Sequence, residues 1–384
     1  MGNPSTDIVV VGAGIAGSAA AAVLGRQGRR VVLVDPRPSC PHVFKAEKID
    51  REQVRLLRQF GLLEAMLPYA GEVRQVRVAS EGRVFRTVAI EQYGISYPDM
   101  VNALRARLPE SVEFRLAHVE AVANSDGIQR VRVTGGQEIE SRLVVLASGA
   151  STRLLAQLGL QRRLHQPDQS QVFGFTIFAS GAQGFDFDAI TYYSFERWKR
   201  VDYLTLFKFR DSMRANLFVF RAPGDPWVRS FLQGPDRMMH EYMPKLERVT
   251  GKYRVMGKVE FGRADLYRVE GNPRPGVVLI GDAFQSVCPS TGMGLEKVLT
   301  DVEALAECVP RWWATPGMGV DKLTEFYSHP RKAACDARAL RNARRFRQAA
   351  MDPSPRWRVY RFLLHLKWQF QSRVKASHLR RGAN

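Results

Sequence analysis

The sequence predicts an α/β fold in two parts: a parallel sheet covered by helices, and an inserted domain that is mainly β-sheet. Three observations support this prediction. Apolar runs that suit buried parallel strands occur near the start of the chain and again at residues 277–280, each followed by glycines and a helix-like segment. Between them, residues 171–222 are rich in Phe and Tyr and partly alternate apolar with polar positions, as half-buried strands do. With 384 residues, of which 45% are hydrophobic, the chain can bury more than one core.

The first apolar run leads into glycines at the spacing of a dinucleotide-binding turn. Residues 7–36 read DIVVVGAGIAGSAAAAVLGRQGRRVVLVDP and contain the G-x-G-x-x-G pattern. Gly12 permits a tight turn, Gly14 lets the backbone approach a pyrophosphate, and Gly17 lets the following helix pack closely on the sheet. The amino terminus of that helix favours an anion. We therefore predict a Rossmann-like dinucleotide site here.

Asp35 ends the second apolar run. A dinucleotide site of this type places an acidic residue about 20 positions after the first glycine, where it binds a ribose hydroxyl. Because a carboxylate disfavours a 2′-phosphate, we predict FAD or NAD at this site rather than NADP. The residues beside these positions complete the predicted contacts of the first segment: Ile15, Ala16, Pro36 and Arg37.

A second glycine-rich junction lies at residues 277–305, which read VVLIGDAFQSVCPSTGMGLEKVLTDVEAL. Its apolar strand runs into Gly281 and Asp282, and an apolar helix follows. Such a junction offers backbone N–H groups and the positive end of a helix to anionic groups. Asp282 stands at the end of the strand, where its carboxylate can accept a hydrogen bond from a sugar hydroxyl. The remaining candidates in this segment are Pro289, Gly292, Met293 and Gly294.

The two segments together resemble the FAD-dependent monooxygenases of the p-hydroxybenzoate hydroxylase type, whose superfamily also contains geranylgeranyl reductase-like enzymes. The resemblance extends over residues 7–305. It implies a Rossmann-like FAD-binding domain of the glutathione reductase type, an aspartate at position 282 that binds the ribityl chain, and a loop of proline and glycines beside the flavin ring. FAD is the implied cofactor, with NADH or NADPH as co-substrate.

A third stretch, ESRLVVLASGASTRLLAQLGL at residues 140–160, resembles the DG segment of the same family. Gly149, Ser151 and Arg153 fit the family's pattern, whereas Ser148 stands where the family has aspartate. That aspartate is tied to the handling of both FAD and the pyridine nucleotide. The departure therefore weakens the inference that NADH or NADPH is used.

Two further departures lie in the second junction, which corresponds to the family's GD segment. Gln285 stands where many relatives have histidine, and Glu296 where many have asparagine. Gln285 can donate and accept hydrogen bonds but cannot act as an acid or base. Lys45 and Lys48 occupy a region where relatives place basic residues near FAD, and a solvated loop lysine is an equal alternative for each.

The resemblance implies a reaction in which a nicotinamide reduces FAD, oxygen reacts with the reduced flavin, and one oxygen atom passes to an organic substrate. The protein then chiefly positions the substrate and excludes water, since the cofactor carries the difficult chemistry. A pocket walled by the aromatic-rich strands would suit an aromatic or polyketide-like apolar molecule of secondary metabolism. The sequence assigns no catalytic residue. The side chains that could act as an acid or base are His42, Tyr97, Tyr192 and Tyr193.

Three alternatives share parts of this pattern. Related enzymes of the same fold reduce isoprenoid double bonds, and the lipophilic end of the chain would suit such a substrate. Flavin-dependent halogenases also share the fold, but no two of the six tryptophans have the W-x-W-x-I-P spacing of those enzymes. The third alternative is a flavin-containing binding protein without turnover, although the intact glycines of the GD segment indicate that the space beside the flavin is maintained.

The chain divides into four predicted regions. They are the first part of the FAD-binding domain (1–165, with inserted strands near 72–90), a mainly β-sheet substrate domain (166–270), the second part of the FAD-binding domain with the GD segment (271–330), and a basic C-terminal helical region (331–384). Within the first region we predict a hairpin that turns at Glu81 and Gly82 and a helix that opens at Tyr97.

The basic charge is concentrated at the C-terminal end. Residues 331–384 carry 15 lysines and arginines against two aspartates, in a chain of net charge +19. Aromatic and aliphatic residues alternate with these cations at helical spacing, as at Trp357, Tyr360, Leu364 and Trp368. Three interpretations remain open: a helix packed on the FAD-binding domain, contact with a membrane surface that supplies a lipophilic substrate, or docking of an acidic carrier protein. Nucleic acid is the least favoured partner, because no recognisable nucleic-acid module accompanies the charge.

The four cysteines show no C-x-x-C or metal-ligand spacing. We therefore expect reduced thiols in a cytoplasmic protein, and no metal site. Cys288 lies inside the segment expected beside the flavin, where a small buried filler is favoured over a redox thiol. No apolar run reaches about 18 residues, so no membrane-spanning helix is predicted. The expected location is the cytoplasm, with peripheral contact to the membrane as an extension of the second interpretation of the basic end.

Overall fold

The computed structural model describes residues 6–182, 184–193, 200–210, 212–222, 224–271, 273–357, 359–360 and 363. These residues form two β-sheets with helices packed against them. The predicted fold class is confirmed: a Rossmann-like α/β domain, an inserted β-sheet, and a helical region toward the C-terminus. The boundaries that divide the chain into four regions stay a prediction.

The elements have the following bounds. The strands are β1 (Thr6–Val11), β2 (Val31–Asp35), β3 (Lys48–Ile49), β4 (Gly71–Ser80), β5 (Arg83–Gly94), β6 (Val112–Leu116), β7 (Val119–Ala123), β8 (Gln129–Val133), β9 (Glu138–Leu146), β10 (Gln161–Ala179), β11 (Ala189–Tyr193), β12 (Val201–Phe209), β13 (Ser212–Val219), β14 (Tyr253–Glu270) and β15 (Val277–Leu279). The helices are α1 (Ile15–Arg26), α2 (Arg51–Gln59), α3 (Tyr97–Arg105), α4 (Arg153–Gln157), α5 (Pro226–Gln233), α6 (Pro235–Tyr242), α7 (Glu247–Thr250), α8 (Gly294–Trp313), α9 (Val320–Ser328) and α10 (Pro330–Met351).

The first sheet has seven strands, in the order β6-β2-β1-β9-β8-β7, with β15 paired to β9. Strands β6, β2, β1, β9 and β15 run parallel, whereas β7 and β8 are antiparallel neighbours. Alternate side chains of β1 enter two cores: Ile8 and Val10 face α1 and α8, while Val9 and Val11 face the core on the other side of the sheet. Burial on both faces explains why this strand reads as an unbroken apolar run.

The second sheet has eight strands, in the order β14-β10-β13-β12-β11-β4-β5-β3. The predicted hairpin forms, with Ser80 opposite Arg83, and β4 joins this sheet by pairing in parallel with β11. One face of the sheet is covered by α5 and α6, where Phe173 packs against Trp227 and Phe231. For these aromatic residues, burial in the core is the observed role.

Helix α10 packs against α8 and carries the sequence from the FAD-binding region toward the basic end. Trp357 and Tyr360 follow it, with their rings 5.3 Å apart. Leu364 and Trp368, the other two positions of the predicted apolar pattern, lie outside the described residues. Within the described part of the chain, none of the helices combines the length and the apolar character needed to cross a membrane.

Candidate functional site

Three turns emerge at one edge of the first sheet. Strands β1, β9 and β15 end at Val11, Leu146 and Leu279, and these residues lie in register across the three strands. Because the strands are parallel, their carboxyl ends open on the same side. Neighbouring strands are about 4.8 Å apart, so the turns after β1 and β15 begin about 10 Å apart. Open parallel sheets bind ligands at such an edge.

The turn after β1 needs glycine at two positions. Gly12 has a φ of +97°, in the left-handed region, and a Cβ there would lie 2.7 Å from the carbonyl oxygen of Ala147. A Cβ on Gly17 would lie 1.8 Å from the carbonyl oxygen of Gly12. The turn, β9 and the first turn of α1 therefore pack at distances that only glycine permits.

The amino terminus of α1 fits a phosphate group. Gly14 precedes the helix and supplies no side chain to cap it, and no acidic residue lies in the first turn. The N–H of Ile15 donates to the hydroxyl of Tyr97 at 3.3 Å. The positive end of the helix is therefore left to an external anion, as a bound pyrophosphate would provide. Ile15 and Ala16 are themselves buried.

Asp35 joins the ends of β1 and β2. Its Oδ2 atom accepts a hydrogen bond from the N–H of Ala13 at 2.9 Å, and its Oδ1 atom accepts one from the N–H of Arg37 at 3.0 Å. The Arg105 guanidinium lies 3.8 Å from the same carboxylate and donates from Nε to the carbonyl oxygen of Ala13 at 2.9 Å. Pro36 and the side chain of Arg37 are exposed. The carboxylate is thus fixed beside the glycine turn, where a ribose hydroxyl would be expected.

Tyr97 is the one acid–base candidate that the structure brings to the glycine turn. Its hydroxyl would lie 3.1 Å from a Cβ at Gly14, and the Nζ atom of Lys45 lies 5.3 Å from the centre of its ring. Burial raises the pKa of Tyr97 above its ordinary value, and Asp282 acts in the same direction, while Lys45 opposes both. The hydroxyl therefore stays protonated at neutral pH and can donate a hydrogen bond.

The turn after β15 presents a carboxylate with free oxygens. Gly281 has a φ of +60°, and the carbonyl oxygen of Asp282 accepts from the hydroxyl of Tyr267 at 2.9 Å. Among the described residues, none donates a hydrogen bond to the Asp282 carboxylate. The turn itself lies next to the amino terminus of α1, because a Cβ on Gly281 would contact Ala16 at 3.3 Å. With no donor among the described residues, the carboxylate oxygens of Asp282 are available to sugar hydroxyls.

The loop between this turn and α8 is held from two sides. It forms a 3₁₀ turn over Pro289–Thr291, followed by Gly292 in the left-handed region with a φ of +67°. The Nε2 atom of Gln53 donates to the carbonyl oxygen of Gly292 at 3.0 Å, and the Tyr203 hydroxyl donates to that of Ser290 at 2.7 Å. The residues that follow the glycine are Met293, which precedes the helix, and Gly294, which begins it.

The departures from the family pattern have structural partners. Gln285 is buried and donates from Nε2 to the carbonyl oxygen of Asp336 at 3.1 Å. Glu296 forms an ion pair with Arg338. Ser148 lies against the glycine turn, since its Cα would be 3.2 Å from a Cβ at Gly12. Position 285 therefore ties the turn to α10 in this chain.

The second sheet turns an aromatic surface toward the loop after β15. The rings of Tyr203 and Phe218 stack with their centres 4.6 Å apart, and Tyr193 lies 5.6 Å from Tyr203. These side chains project from the face opposite the Phe173 core, and Tyr203 bonds directly to the loop through Ser290. We call these three residues the aromatic wall. Burial raises the pKa of Tyr203 well above its ordinary value, so its hydroxyl stays a donor.

Arg214, a buried arginine on this face of the sheet, is already paired. Arg214 donates from Nε to the Glu47 carboxylate at 2.8 Å and also forms an ion pair with Glu260. Burial opposes the charged form of Arg214, but the two carboxylates outweigh it and raise its pKa. Burial likewise raises the pKa of Glu47, while the hydrogen bond from Arg214 opposes that change. Two carboxylates thus neutralise the arginine.

Tyr193 belongs to the aromatic wall, and the remaining two acid–base candidates lie elsewhere. His42 is exposed and pairs through Nε2 with Glu260 at 2.6 Å. Tyr192 is part of the core on the other face of the second sheet, where its hydroxyl accepts from the N–H of Gly82 at 3.1 Å. Sequence reasoning missed Arg105 and Tyr203, because their roles depend on contacts with residues about 90 positions away in the chain.

Cys288 lies behind the loop that precedes α8. All four cysteines are free, and Cys288 is buried with its Sγ atom 3.2 Å from the Ser170 hydroxyl and 3.0 Å from the Ser290 hydroxyl. Its position between two serines behind the loop agrees with a filler. No group of three metal-ligating side chains is positioned to hold a metal ion in the part of the chain that the structure describes.

The fold and the three turns define a dinucleotide-binding protein of the flavoprotein type. A family model described as the FAD binding domain matches residues 5–342. The chain therefore belongs to this family of p-hydroxybenzoate hydroxylase-type flavoproteins and is an FAD-dependent oxidoreductase. The resemblance inferred from the sequence is confirmed, as is FAD as the cofactor.

Individual relatives agree with this membership. The chain is 25% identical to the kynurenine 3-monooxygenase of Salinispora tropica over 338 residues, which is 79% of this chain and 72% of that enzyme. Its fold is similar to that of the p-nitrophenol 4-monooxygenase of Pseudomonas putida, with a TM-score of 0.74 at 18% identity, covering 94% and 93% of the two chains. It also resembles aklavinone-11 hydroxylase, solved with FAD and aklavinone, with a TM-score of 0.62 at 22% identity, covering 80% and 63%.

Proposed function

We propose that FAD binds across the edge where the three turns meet. The glycine turn and the amino terminus of α1 bind the pyrophosphate, Asp35 the ribose, and Asp282 the ribityl chain, while the loop before α8 lies beside the ring. This proposal is supported by the glycine geometry at Gly12 and Gly17 and by the free carboxylate oxygens of Asp282. The complete set of proposed contacts is Gly12, Gly14, Ile15, Ala16, Gly17, Asp35, Pro36, Arg37, Lys45, Gly281, Asp282, Pro289, Gly292, Met293 and Gly294.

The reaction we propose is hydroxylation with NADH or NADPH and O2. Bound FAD supplies the electron transfer and oxygen activation. One oxygen atom enters a C–H bond of the substrate, the other leaves as water, and the nicotinamide is oxidised as one proton is consumed. The residues of this chain orient the two molecules and exclude water from the space between the loop and the aromatic wall.

One observation carries the assignment of the substrate side. The Tyr203 hydroxyl bonds to Ser290, and this contact places the aromatic wall directly against the loop expected beside the flavin. A wall of Tyr193, Tyr203 and Phe218 favours an aromatic or polyketide-like apolar molecule. Because Arg214 is paired with Glu47 and Glu260, it is not available to a substrate carboxylate, and this favours an uncharged substrate.

Isotope labelling tests this proposal. The purified protein is incubated under ¹⁸O₂ with FAD, NADH or NADPH, and a panel of uncharged phenols and polycyclic aromatic ketones. The masses of the products are then measured by mass spectrometry. Hydroxylation predicts one ¹⁸O atom in the product and none when only the water is labelled. A product that has gained two hydrogens without oxygen would instead identify a reductase, and no NADH or NADPH oxidation with any substrate would favour a binding protein.

We further propose that the basic end of the chain contacts an anionic membrane surface. On the exposed side of α10, Arg341, Arg344 and Arg345 project together, and no described carboxylate pairs with Arg341 or Arg344. Burial lowers the pKa of His165, and Arg344 adds to that effect, so the neighbouring surface is positive. Exposed apolar side chains follow along the chain, such as Leu363, and this mixture suits an anionic lipid surface better than a purely polar partner.

A further inference from the structure

Four charged side chains form a closed ring between α8 and α10. Lys297 and Asp301 come from α8, and Lys332 and Asp336 from α10. Their signs alternate around the ring, with N–O distances of 2.8 Å for Lys297–Asp301, 2.8 Å for Asp301–Lys332, 3.0 Å for Lys332–Asp336 and 3.5 Å for Asp336–Lys297. The side chains are between 0% and 7% exposed. We call these four residues the charged ring.

A buried ring of charges is not an efficient way to stabilise the folded protein. Removing four charges from water is costly, and apolar side chains of similar size often stabilise a protein equally well. Burial opposes the charged form of Lys297, but Asp301 and Asp336 outweigh it and raise its pKa. Burial also opposes ionisation of Asp301, and Lys297 and Lys332 outweigh it and lower its pKa. Lys297 and Asp301 thus stay ionised. The contacts of the ring indicate what this arrangement holds.

The charged ring contacts the backbone of the turn after β15. The Oδ2 atom of Asp301 accepts from the N–H of Gly281 at 2.8 Å, and the Nζ atom of Lys297 lies 3.5 Å from the carbonyl oxygen of the same glycine. Asp301 therefore fixes the N–H of Gly281, while the carbonyl oxygen of this glycine accepts from the N–H groups of Phe284 and Gln285 and also lies near Lys297. A Cβ at this position would lie 3.3 Å from Ala16 and 3.4 Å from Val298, so the turn is also closely packed. The residue that follows is Asp282, directly bonded to the glycine that the ring contacts.

The α10 half of the ring holds the residues after the turn. The Nζ atom of Lys332 lies 4.2 Å from the centre of the Phe284 ring, and the backbone oxygen of Asp336 accepts from Gln285. Gln285 is the position at which this chain departs from the histidine common in relatives. Helix α10 is therefore attached to the turn in three ways: by the hydrogen bond from Gln285, by the contact of Lys332 with the aromatic ring of Phe284, and by the ion pairs of the charged ring.

We propose that the charged ring positions Asp282 for FAD, and that α10 is in this way part of the flavin site. Lys297, Asp301, Lys332 and Asp336 are positioning residues, since they act on the cofactor through the turn. This inference rests on FAD binding at Asp282, and it does not depend on hydroxylation or on the substrate. It predicts that a change in α10, which packs against α8, alters how FAD is held.

Two single substitutions with opposite charge effects test this proposal. Lys332→Met leaves the ring with a net charge of −1, and Asp336→Asn leaves it with +1. Each should raise the FAD dissociation constant about tenfold or more, as measured by fluorescence titration of the apoprotein, which corresponds to about 1.4 kcal/mol. The flavin midpoint potential should fall in Lys332→Met, because a nearby negative charge disfavours the extra electrons, and rise in Asp336→Asn.

Leu323→Ala is the matched control for stability. Leu323 is fully buried in α9 and belongs to the same core, but the ring does not include it. This variant should lower the melting temperature as the ring variants do, while leaving the FAD dissociation constant and the midpoint potential close to those of the wild type. Both ring variants are made so that the comparison survives if one of them fails to fold.

The outcomes separate this proposal from FAD binding itself. Wild-type protein that binds FAD, with ring variants that bind it as tightly and at the same potential, would show that the ring is merely structural and overturn the inference. Midpoint shifts of the same sign in both variants would also overturn it. Wild-type protein that does not bind FAD at all would instead refute the site on which the inference rests.

Discussion

Gly14 tests the pyrophosphate assignment at the scale of a single residue. Gly14→Val places a branched side chain at the amino terminus of α1, where a Cβ would already lie 3.1 Å from the Tyr97 hydroxyl. We expect FAD content to fall to about a tenth of the wild-type value or less, because the side chain occupies the approach of the phosphate. The flavin-to-protein absorbance ratio of the purified protein measures this.

Gly181→Val is the control for that substitution. Gly181 has no positive φ, and a Cβ there would meet nothing within 4 Å, so a valine is accommodated. Its flavin content should match that of the wild type. Equal flavin content in the Gly14→Val and Gly181→Val proteins would contradict the assignment of the pyrophosphate to the amino terminus of α1.

Asp282→Ala tests the second nucleotide contact. The carboxylate oxygens of Asp282 accept no hydrogen bond from the described residues, so their loss should leave the turn intact and remove only bonds to the sugar chain. A charge-assisted hydrogen bond contributes about 1.5–3 kcal/mol, so affinity for FAD should fall by at least about tenfold. Titration of the apoprotein with FAD measures it, and unchanged affinity would count against the assignment.

Tyr97→Phe tests a contact that emerged only in three dimensions. The substitution removes the hydroxyl that accepts from Ile15 and faces the phosphate site. FAD should bind about threefold to tenfold more weakly, as expected for one neutral hydrogen bond. Since burial raises the pKa of Tyr97, the hydroxyl stays protonated, and the difference between the two proteins should be constant from about pH 6 to 9. A difference that disappears across this range would show that another group titrates at the site.

At the scale of elements, the charged ring joins helices α8 and α10. Its contribution to the free energy of unfolding should depend on pH. The pKa of Asp301 is lowered in the folded protein from its ordinary value of 3.8. As pH falls, the unfolded chain binds the proton first, so the free energy of unfolding decreases. The contribution of Asp301 is complete above about pH 5 and is lost as pH falls through the folded pKa.

Urea unfolding of the wild type and of Asp301→Asn measures this dependence. The difference in unfolding free energy between the two proteins should be constant between about pH 6 and 8 and should shrink below about pH 4. A difference that grows on acidification would contradict the lowered pKa. Lysine protonation does not interfere, because the pKa of Lys297 is raised.

Elements were predicted from the sequence to the extent that local pattern determines them. The strand before Gly12, the hairpin at Glu81 and Gly82, and the helix that opens at Tyr97 all carry signals within a few residues: an apolar run, a turn, and a proline in the first turn. The parallel pairing of β4 with β11 had no such signal, because its partners are separated by more than 100 positions. Sequence alone therefore gave the hairpin but not the sheet that it joins.

The candidate site divides in the same way. Glycines that need a special backbone or a close approach leave a spacing that can be recognised, as at Gly12 and Gly17. Arg105, Tyr203 and Lys332 act through contacts that link distant parts of the chain, and their residue types are common on any surface or helix. A lysine in a basic helix predicts a solvated charge, whereas Lys332 is fully buried in the charged ring.

For the whole molecule, the basic surface of α10 predicts association with anionic vesicles. Replacing Arg341, Arg344 and Arg345 together with Gln should weaken sedimentation with phosphatidylglycerol-containing vesicles, since each cation near such a surface contributes about 1 kcal/mol. Added salt should weaken the binding of the wild type. Neutral phosphatidylcholine vesicles should bind neither protein.

Replacement of Lys252, Arg254 and Lys258 with Gln is the matched control. Lys252 directly precedes β14, and Arg254 and Lys258 lie in its N-terminal third, away from the residues near α10. The net charge therefore changes equally on a different surface. This variant should retain vesicle binding. Equal losses of vesicle binding in the two triple variants would indicate a general effect of net charge. Binding of the protein to an acidic carrier protein but not to vesicles would show that the carrier, and not the membrane, is the partner.

The central claim, that the three turns form a flavin site which supports redox chemistry, is tested most directly by one absorption experiment. The purified protein is saturated with FAD, freed of excess, reduced anaerobically with NADH or NADPH in the presence of an aromatic substrate, and then exposed to air. We expect about one FAD per chain, bleaching on reduction and recovery of the oxidised spectrum with oxygen. Protein that retains no FAD after saturation would contradict the claim.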